Sequence, residues 1–213
     1  MAKQPPLKQT ASQTIGPFFH YALTPEPYGR PGIAGGVLAS ADTAGERVRI
    51  EGRVFDGEGR PMPDALVEIW QANAAGRYNH PADDRPAHGR PADGSEEAAL
   101  DPGFRGFGRL GTDADGGFRF ETVKPGPVPG RGNTLQAPHI NVILCARGML
   151  DHVFTRIYFS DEAEANGNDP VLSAVEAGRR ATLVAERRES AGEIVYRFDI
   201  RLQGEAETVF FDA

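Results

Sequence analysis

The chain has 213 residues, of which 39% are hydrophobic and 25% charged, and its net charge is -7. This length fits one large domain or two small ones, and the composition is ordinary for a globular protein. The negative charge and the lack of a basic stripe exclude nucleic acid as the expected partner, because nothing would neutralise the phosphates. An anionic substrate would need local arginines.

The cysteine count and the hydropathy of the chain further limit the class of protein. The single cysteine, Cys145, excludes an intrachain disulfide, and its apolar neighbours predict a packing role. No run of about 18 apolar residues is present that could span a membrane. The N-terminal Met-Ala-Lys-Gln-Pro-Pro lacks the apolar core of a signal peptide. We therefore expect a cytoplasmic protein that does not interact with membranes.

Residues 1–47 are predicted to form an N-terminal arm. They are rich in proline and glycine and lack sustained periodicity, but they contain the apolar and aromatic segment 15–21. Such a cluster is rare in disordered tails. We expect it to pack on the body of the chain or on a partner. Residues 48–213 are predicted to form the body, a single domain.

The body begins with alternating sequences that are typical of half-buried strands. Val48–Phe55 alternates and is followed by the turn sequence Asp56–Gly59. Ala65–Trp70 is predicted as the next strand, with Trp70 expected in the core. Phe118–Val123 alternates again after another glycine-rich turn.

The second half of the body continues this pattern around one predicted helix. Residues 170–180 are predicted to be helical, with Asp169 as N-cap and Pro170 at the first position. The further predicted strands are 139–146, 152–159, Ala181–Arg187 and Ile194–Leu202. Short strands with frequent turns predict an all-β protein, a β-sandwich of short antiparallel strands with one or two short helices.

The segment Ala137–Asn141 looks like a metal-binding His-x-His pair in which one ligand is missing. Side chains two apart on a strand lie on the same face, so such a pair can offer two imidazoles to one ion. Asn141 has no imidazole, and an amide is a poor ligand for a transition metal. From the residues alone, His139 is better interpreted as a hydrogen-bonded strand histidine than as a ligand.

Several segments, in the same order along the chain, resemble intradiol ring-cleavage dioxygenases. They are Glu68–Tyr78, Asp101–Arg109, Thr112–Gly116, Thr122–Pro127, Pro138–Asn141 and Ile157–Phe159. The resemblance covers roughly residues 48–160. It implies a non-haem Fe(III) centre held by two tyrosinates and two histidines. With O2, such a centre opens an aromatic ring between two hydroxylated carbons.

The four metal-ligand positions of that family are only half preserved. In chain order, the matching residues are Tyr78, Val128, His139 and Asn141. The resemblance implies that Tyr78 and His139 match a tyrosine and a histidine, whereas Val128 and Asn141 replace the other two ligands. Gln136 and Arg156 also depart from the residues usual in catalytic relatives. We expect this chain alone to hold no iron.

Some intradiol dioxygenases consist of two homologous subunits, and this chain resembles the α subunit, which has lost the iron ligands. The N-terminal segment Ser12–Phe18 and the C-terminal segment Tyr196–Gly204 carry this part of the resemblance. It implies an iron-binding β subunit as partner, several αβ units, and a dihydroxybenzoate as the substrate cleaved with O2. The implied contributions of this chain to the β-subunit site are Thr14, Gly16, Phe18 and Arg147.

The resemblance also implies what these residues do. Arg147 would bind the substrate carboxylate through a charge-assisted hydrogen bond. Thr14 would add a polar contact, and Gly16 would let the backbone come close. Phe18 stands where some relatives have tyrosine, so a hydroxyl contact there would be lost. Without the resemblance, Arg147 is better interpreted as an exposed arginine at a strand end.

Two other interpretations stay open. The first is a self-sufficient, homo-oligomeric catechol-type dioxygenase, against which Val128 and Asn141 argue. The second is a non-catalytic binding module similar to transthyretin-like domains, which share the pattern of Val48–Gly59. The second interpretation predicts a protein that needs no β subunit.

Overall fold

A computed structural model describes residues 21–80, 83 and 101–212, and most of their regular structure is strand. The strands are β1 Arg47–Phe55, β2 Leu66–Gln71, β3 Phe107–Gly111, β4 Gly117–Val123, β5 Val128–Pro129, β6 Leu135–Gln136, β7 His139–Cys145, β8 Val153–Phe159, β9 Val184–Ser190, β10 Glu193–Arg197 and β11 Ile200–Arg201. The helices are α1 Ala163–Asn168 and α2 Pro170–Ala174, with 3-10 segments at Glu26–Tyr28 and Ala177–Leu183. The predicted all-β class is confirmed, and none of the described helices has the length and apolar character to cross a membrane.

Nine of the strands form one sheet that nearly closes on itself. Its order is β11-β1-β10-β9-β8-β7-β2-β3, and β4 pairs with the other edge of β1. The end strands β3 and β4 lie against each other, and β5 and β6 form a separate ribbon. Most pairs are antiparallel as predicted, but β1–β10, β1–β11 and β8–β9 are parallel. The β8–β9 connection is long enough for a parallel crossover because it contains both α-helices.

A segment of the predicted arm fills the gap between β3 and β4. The backbone N–H of Arg109 on β3 donates to the Gly35 carbonyl at 3.2 Å. On β4, the Glu121 N–H donates to the Gly36 carbonyl at 2.7 Å, and the Leu38 N–H donates to the Glu121 carbonyl at 2.9 Å. The Leu38 side chain is buried in the core. Residues 35–38 therefore form part of the wall around the core.

The two faces of the sheet have different roles, which follow from the alternation of side chains along each strand. On β7, Ile140, Val142 and Leu144 are buried in the main core. Each such side chain contributes about 1.5–3 kcal/mol to stability. His139 and Asn141 lie on the opposite face of the same strand. One short sequence thus supplies both the core and the candidate site.

The predicted strand Ile194–Leu202 is wrong in one respect, because it is broken into β10 and β11. A side chain on Gly52 of β1 would place its Cβ 1.6 Å from the Phe198 carbonyl oxygen, so the two backbones approach closely here. Between the two strands, the Asp199 carboxylate accepts a hydrogen bond from the Arg53 N–H at 2.9 Å. This side-chain acceptor replaces a backbone partner and interrupts the ladder.

The prediction of a helix over residues 170–180 is correct for its start and wrong for its end. Asp169 caps it as predicted, but α2 ends at Ala174 and a 3-10 segment follows from Ala177 to Leu183. The predicted strand Ala181–Arg187 consequently begins only at Val184. Val175 and Glu176 have an extended backbone that separates the two helical segments, and Leu172 and Leu183 pack into the same small second core.

Asp169 links this helix to the start of β7. Its buried carboxylate accepts hydrogen bonds from the N–H groups of Val171 at 2.9 Å and Leu172 at 2.7 Å. It also accepts from the Tyr158 hydroxyl at 3.0 Å and from the Ala137 N–H at 2.8 Å. Because Ala137 directly precedes the Pro138–His139 step, Asp169 positions the strand that carries the candidate site.

We predict that Asp169→Ala lowers the free energy of unfolding by about 3 kcal/mol, because it removes the cap and leaves buried donors unpaired. Urea denaturation of the purified chain measures the loss. Asp42→Ala is the matched control, because Asp42 is exposed and its loss should cost less than about 0.5 kcal/mol. Equal stability of the two variants would contradict the role given to Asp169.

Candidate functional site

Strand register brings the predicted metal-ligand positions to one outer surface of the sheet. Asn141 on β7 pairs with Trp70 on β2 and with Arg156 on β8. His139 pairs with Tyr158 on β8. Directly paired residues lie on the same face of a sheet, so these five side chains form one continuous patch.

His139 is a buried, neutral imidazole with a satisfied nitrogen. Its side chain is 3% exposed, and Nδ1–H donates to the Ala137 carbonyl at 2.7 Å. Burial, with a further contribution from the positive charge of Arg156, lowers the pKa of His139 to about 4. At neutral pH the ring therefore keeps the lone pair on Nε2.

Asn141 and Tyr78 are close but weakly coupled. The Asn141 Nδ2 atom lies 3.5 Å from the Tyr78 hydroxyl and 3.4 Å from the Trp70 carbonyl, which are long distances for hydrogen bonds. The Tyr78 ring stacks on Trp70, with centroids 5.7 Å apart and planes at 8°. The prediction that Trp70 lies in the core is wrong. It is half-buried on the outer face because β2 turns alternate residues inward and outward.

Gln136 contacts both Val128 and Arg156 at the site. Val128 is buried and pairs with Gln136 in the β5–β6 ribbon. The Gln136 Oε1 atom accepts a hydrogen bond from the Arg156 guanidinium at 2.7 Å. The Arg156 guanidinium also lies beside the Tyr158 hydroxyl, whose pKa is raised chiefly by burial. A guanidinium therefore lies among the positions that would surround a metal.

These residues do not fit Fe(III). Tyr78 and His139 could each offer one donor atom, but Val128 has none and Asn141 offers only a neutral amide. The fixed positive charge of Arg156 beside His139 further opposes a trivalent cation. Over the described ranges, no group of three or more His, Cys, Asp or Glu residues could hold a metal. No chemical step on this chain is therefore assigned to iron.

Arg147 lies away from this patch. It is exposed in the turn after β7, whose last residue is Cys145. At 3.3 Å per residue, the strand from His139 to Cys145 is roughly 20 Å long, so Arg147 stands at its opposite end. The other three predicted substrate contacts, Thr14, Gly16 and Phe18, lie outside the described residues.

Sequence analysis missed two features of the site. Arg156 stood out only as a departure from relatives, and nothing in the sequence said that its charge faces Gln136 and His139. Asp169 was recognised as a cap but not as the residue that fixes Ala137. Cys145 is half-buried rather than fully buried as predicted, and burial raises the pKa of its thiol to about 11, which disfavours a reactive thiolate.

The lowered pKa of His139 predicts that the protein loses stability in acid. Its folded pKa of about 4 lies below the ordinary value of 6.5, so between these pH values the unfolded chain binds a proton that the folded chain excludes. The contribution of the neutral His139 to the free energy of unfolding is complete above pH 6.5. It falls by roughly 3 kcal/mol as the pH drops to 4. In urea titrations, His139→Gln should lose less stability than the wild type over this range. Parallel pH profiles would contradict the assignment.

Comparison with known proteins gives the family. A family model described as Dioxygenase matches residues 34–204. The protocatechuate 3,4-dioxygenase alpha chain of Burkholderia cepacia is 47% identical over 211 residues, which cover 97% of this chain and 98% of the relative. The beta chain from the same organism is 35% identical, covering 80% of this chain and 70% of the relative.

A solved structure shares the fold. An intradiol ring-cleavage dioxygenase from Tetranychus urticae superposes with a TM-score of 0.56 at 20% identity, covering 81% of this chain and 87% of that chain. The ordered motifs, the nearly closed sheet and the family match over most of the sequence agree. The chain therefore belongs to the intradiol dioxygenase family, and its similarity over nearly the full length is to protocatechuate 3,4-dioxygenase alpha chains.

Proposed function

We propose that this chain is the iron-free α subunit of a protocatechuate 3,4-dioxygenase. With a homologous β subunit that binds Fe(III), it forms an enzyme that uses O2 to cleave 3,4-dihydroxybenzoate between its two hydroxylated carbons. The product is 3-carboxy-cis,cis-muconate. The observation that carries the proposal is the 47% identity to an alpha chain over 211 residues.

The donor set of this chain supports the assignment of the chemistry to the partner. A ferric catecholate centre needs hard anionic donors, and of the four matching positions Tyr78, Val128, His139 and Asn141 only the Tyr78 phenol could supply one. The amide of Asn141 and the isopropyl group of Val128 cannot replace an imidazole and a phenolate. A self-sufficient catechol-type enzyme would need the full donor set in every chain.

The place of Arg147 supports its proposed role toward a neighbouring subunit. The side chain is exposed, and none of the hydrogen bonds or ion pairs recorded among the described residues involves it. Since β7 separates it by roughly 20 Å from the patch around His139, it cannot bind a ligand held there. It is free to reach a site on another chain, where a guanidinium can bind a carboxylate in a bidentate manner.

The arm is the second proposed contribution. Residues 35–38 anchor its C-terminal part in the wall of the body, through the backbone hydrogen bonds to β3 and β4. The preceding residues can then extend toward a partner from a fixed point. We propose that Thr14, Gly16 and Phe18 line the substrate site of the β subunit, with Phe18 supplying an apolar contact.

Co-expression with a β-type homologue that has both tyrosines and both histidines tests this function. We expect a stable complex with the red-brown colour of tyrosinate-to-Fe(III) charge transfer, and iron in proportion to the β subunit. The chain purified alone should be colourless and inactive toward protocatechuate. Colour and cleavage by this chain alone would support a self-sufficient dioxygenase instead. A chain that never binds the homologue would support a separate binding module.

Arg147→Ala in the α/β complex should raise the Michaelis constant for protocatechuate about tenfold or more, because one charge-assisted contact to the carboxylate is lost. Arg147→Lys should retain part of the affinity. Iron content should stay unchanged in both variants. Arg188→Ala, which removes an exposed arginine paired with Glu186, is the matched control. An unaltered Michaelis constant, or lost iron, would remove Arg147 from the site.

A further inference from the structure

The patch around His139 opens into a cavity whose lining combines a cation with apolar walls. The cavity has a volume of about 980 Å³, within the size range of small-molecule sites. At one end it is lined by Gln136, Asn141 and Arg156. Its apolar wall consists of Phe154, Val171, Val175, Val209 and Phe211. A ligand that fits must therefore be polar at one end and apolar at the other.

Arg156 gives the polar end a positive charge that has no direct ion-pair partner among the described residues. Its side-chain hydrogen bond is to the neutral Gln136 amide oxygen at 2.7 Å, and the Tyr158 hydroxyl lies beside it. None of the ion pairs between described residues includes Arg156. The Asp169 carboxylate, which accepts from Tyr158 and three backbone N–H groups, partly offsets the charge of Arg156, but Asp169 does not line the cavity. A half-buried guanidinium with only neutral partners has remaining capacity for an anion.

The other charges that line the cavity are at its exposed rim. They are Arg131, Glu176, Arg179 and Asp212, two of each sign. Exposed charges are screened by water and salt, and these four sum to zero. Arg179 is also paired with Glu207. Among the residues that line the cavity, Arg156 therefore decides the sign of the charge at the inner end.

We infer that this cavity binds a small aromatic carboxylate, with Arg156 holding the carboxylate in the place that a metal would occupy. A planar carboxylate matches the guanidinium fork, and Gln136 and Asn141 offer amide groups beside it. The aromatic ring would lie against Phe154 and Phe211. A metal ion is disfavoured by the like charge, and inorganic phosphate would leave the apolar wall facing water.

Binding of 4-fluorobenzoate to the full-length chain, followed by fluorine NMR and calorimetry, tests the inference. We expect one saturable site per chain. The neutral isostere 4-fluorobenzamide should bind at least about tenfold more weakly, because the charge-assisted pair is absent. Inorganic phosphate should not displace 4-fluorobenzoate at equal concentration. No saturable binding, equal binding of the amide, or displacement by phosphate would each overturn the inference.

Variants of Arg156 test whether this residue binds the carboxylate. Arg156→Gln should weaken 4-fluorobenzoate binding about tenfold or more, and Arg156→Lys should weaken it less. Arg131→Gln, at the rim of the same cavity, is the matched control and should change the affinity less than about threefold. If Arg156→Gln does not fold, the Lys variant and the benzamide comparison still decide. Unchanged affinity in a folded Arg156→Gln, or equal binding of the amide, would exclude Arg156. Because the chain is measured without a β subunit, the result is independent of the proposed function.

Discussion

The structure depends most on the alternation of side chains along β7. Its inward residues, Ile140, Val142 and Leu144, hold the centre of the core, while His139 and Asn141 face outward into the site. Because the strand period is two, these two sets cannot change independently: a shift of register by one residue would exchange them. The core thus fixes the place of the site, even where the site no longer has the residues of a metal centre.

Around that strand, the charges differ from those of a ferric site. A ferric site balances a trivalent cation with anionic phenolates, whereas here Val128 and Asn141 are neutral and Arg156 brings a fixed positive charge. The guanidinium donates a hydrogen bond to the neutral Gln136 amide and lies beside the Tyr158 hydroxyl. Its presence and the burial of His139 both favour a neutral imidazole. The same charge makes the cavity suited to an anion and unsuited to a metal.

The two ends of β7 carry residues in different surroundings. The end at His139 belongs to the chain's own cavity, and Asp169 holds it in place through Ala137. The other end leads to Arg147, which is exposed and roughly 20 Å away along the strand. This separation is the physical reason why a role for Arg147 in substrate binding requires a second chain. Under the proposed function, Arg147 would serve a partner while the cavity at the other end of the strand stays separate.

The sequence alone determined the all-β class, the cap at Asp169, and the shared face of His139 and Asn141, because these depend on local alternation and residue chemistry. It could not decide that β8 and β9 are parallel, that Gly52 and Phe198 interrupt a strand, or that Trp70 faces outward onto Tyr78. Nor could it place the Arg156 guanidinium beside Gln136, twenty residues away in sequence. Those features arise from contacts between distant segments, and only the packed sheet decides which segments meet.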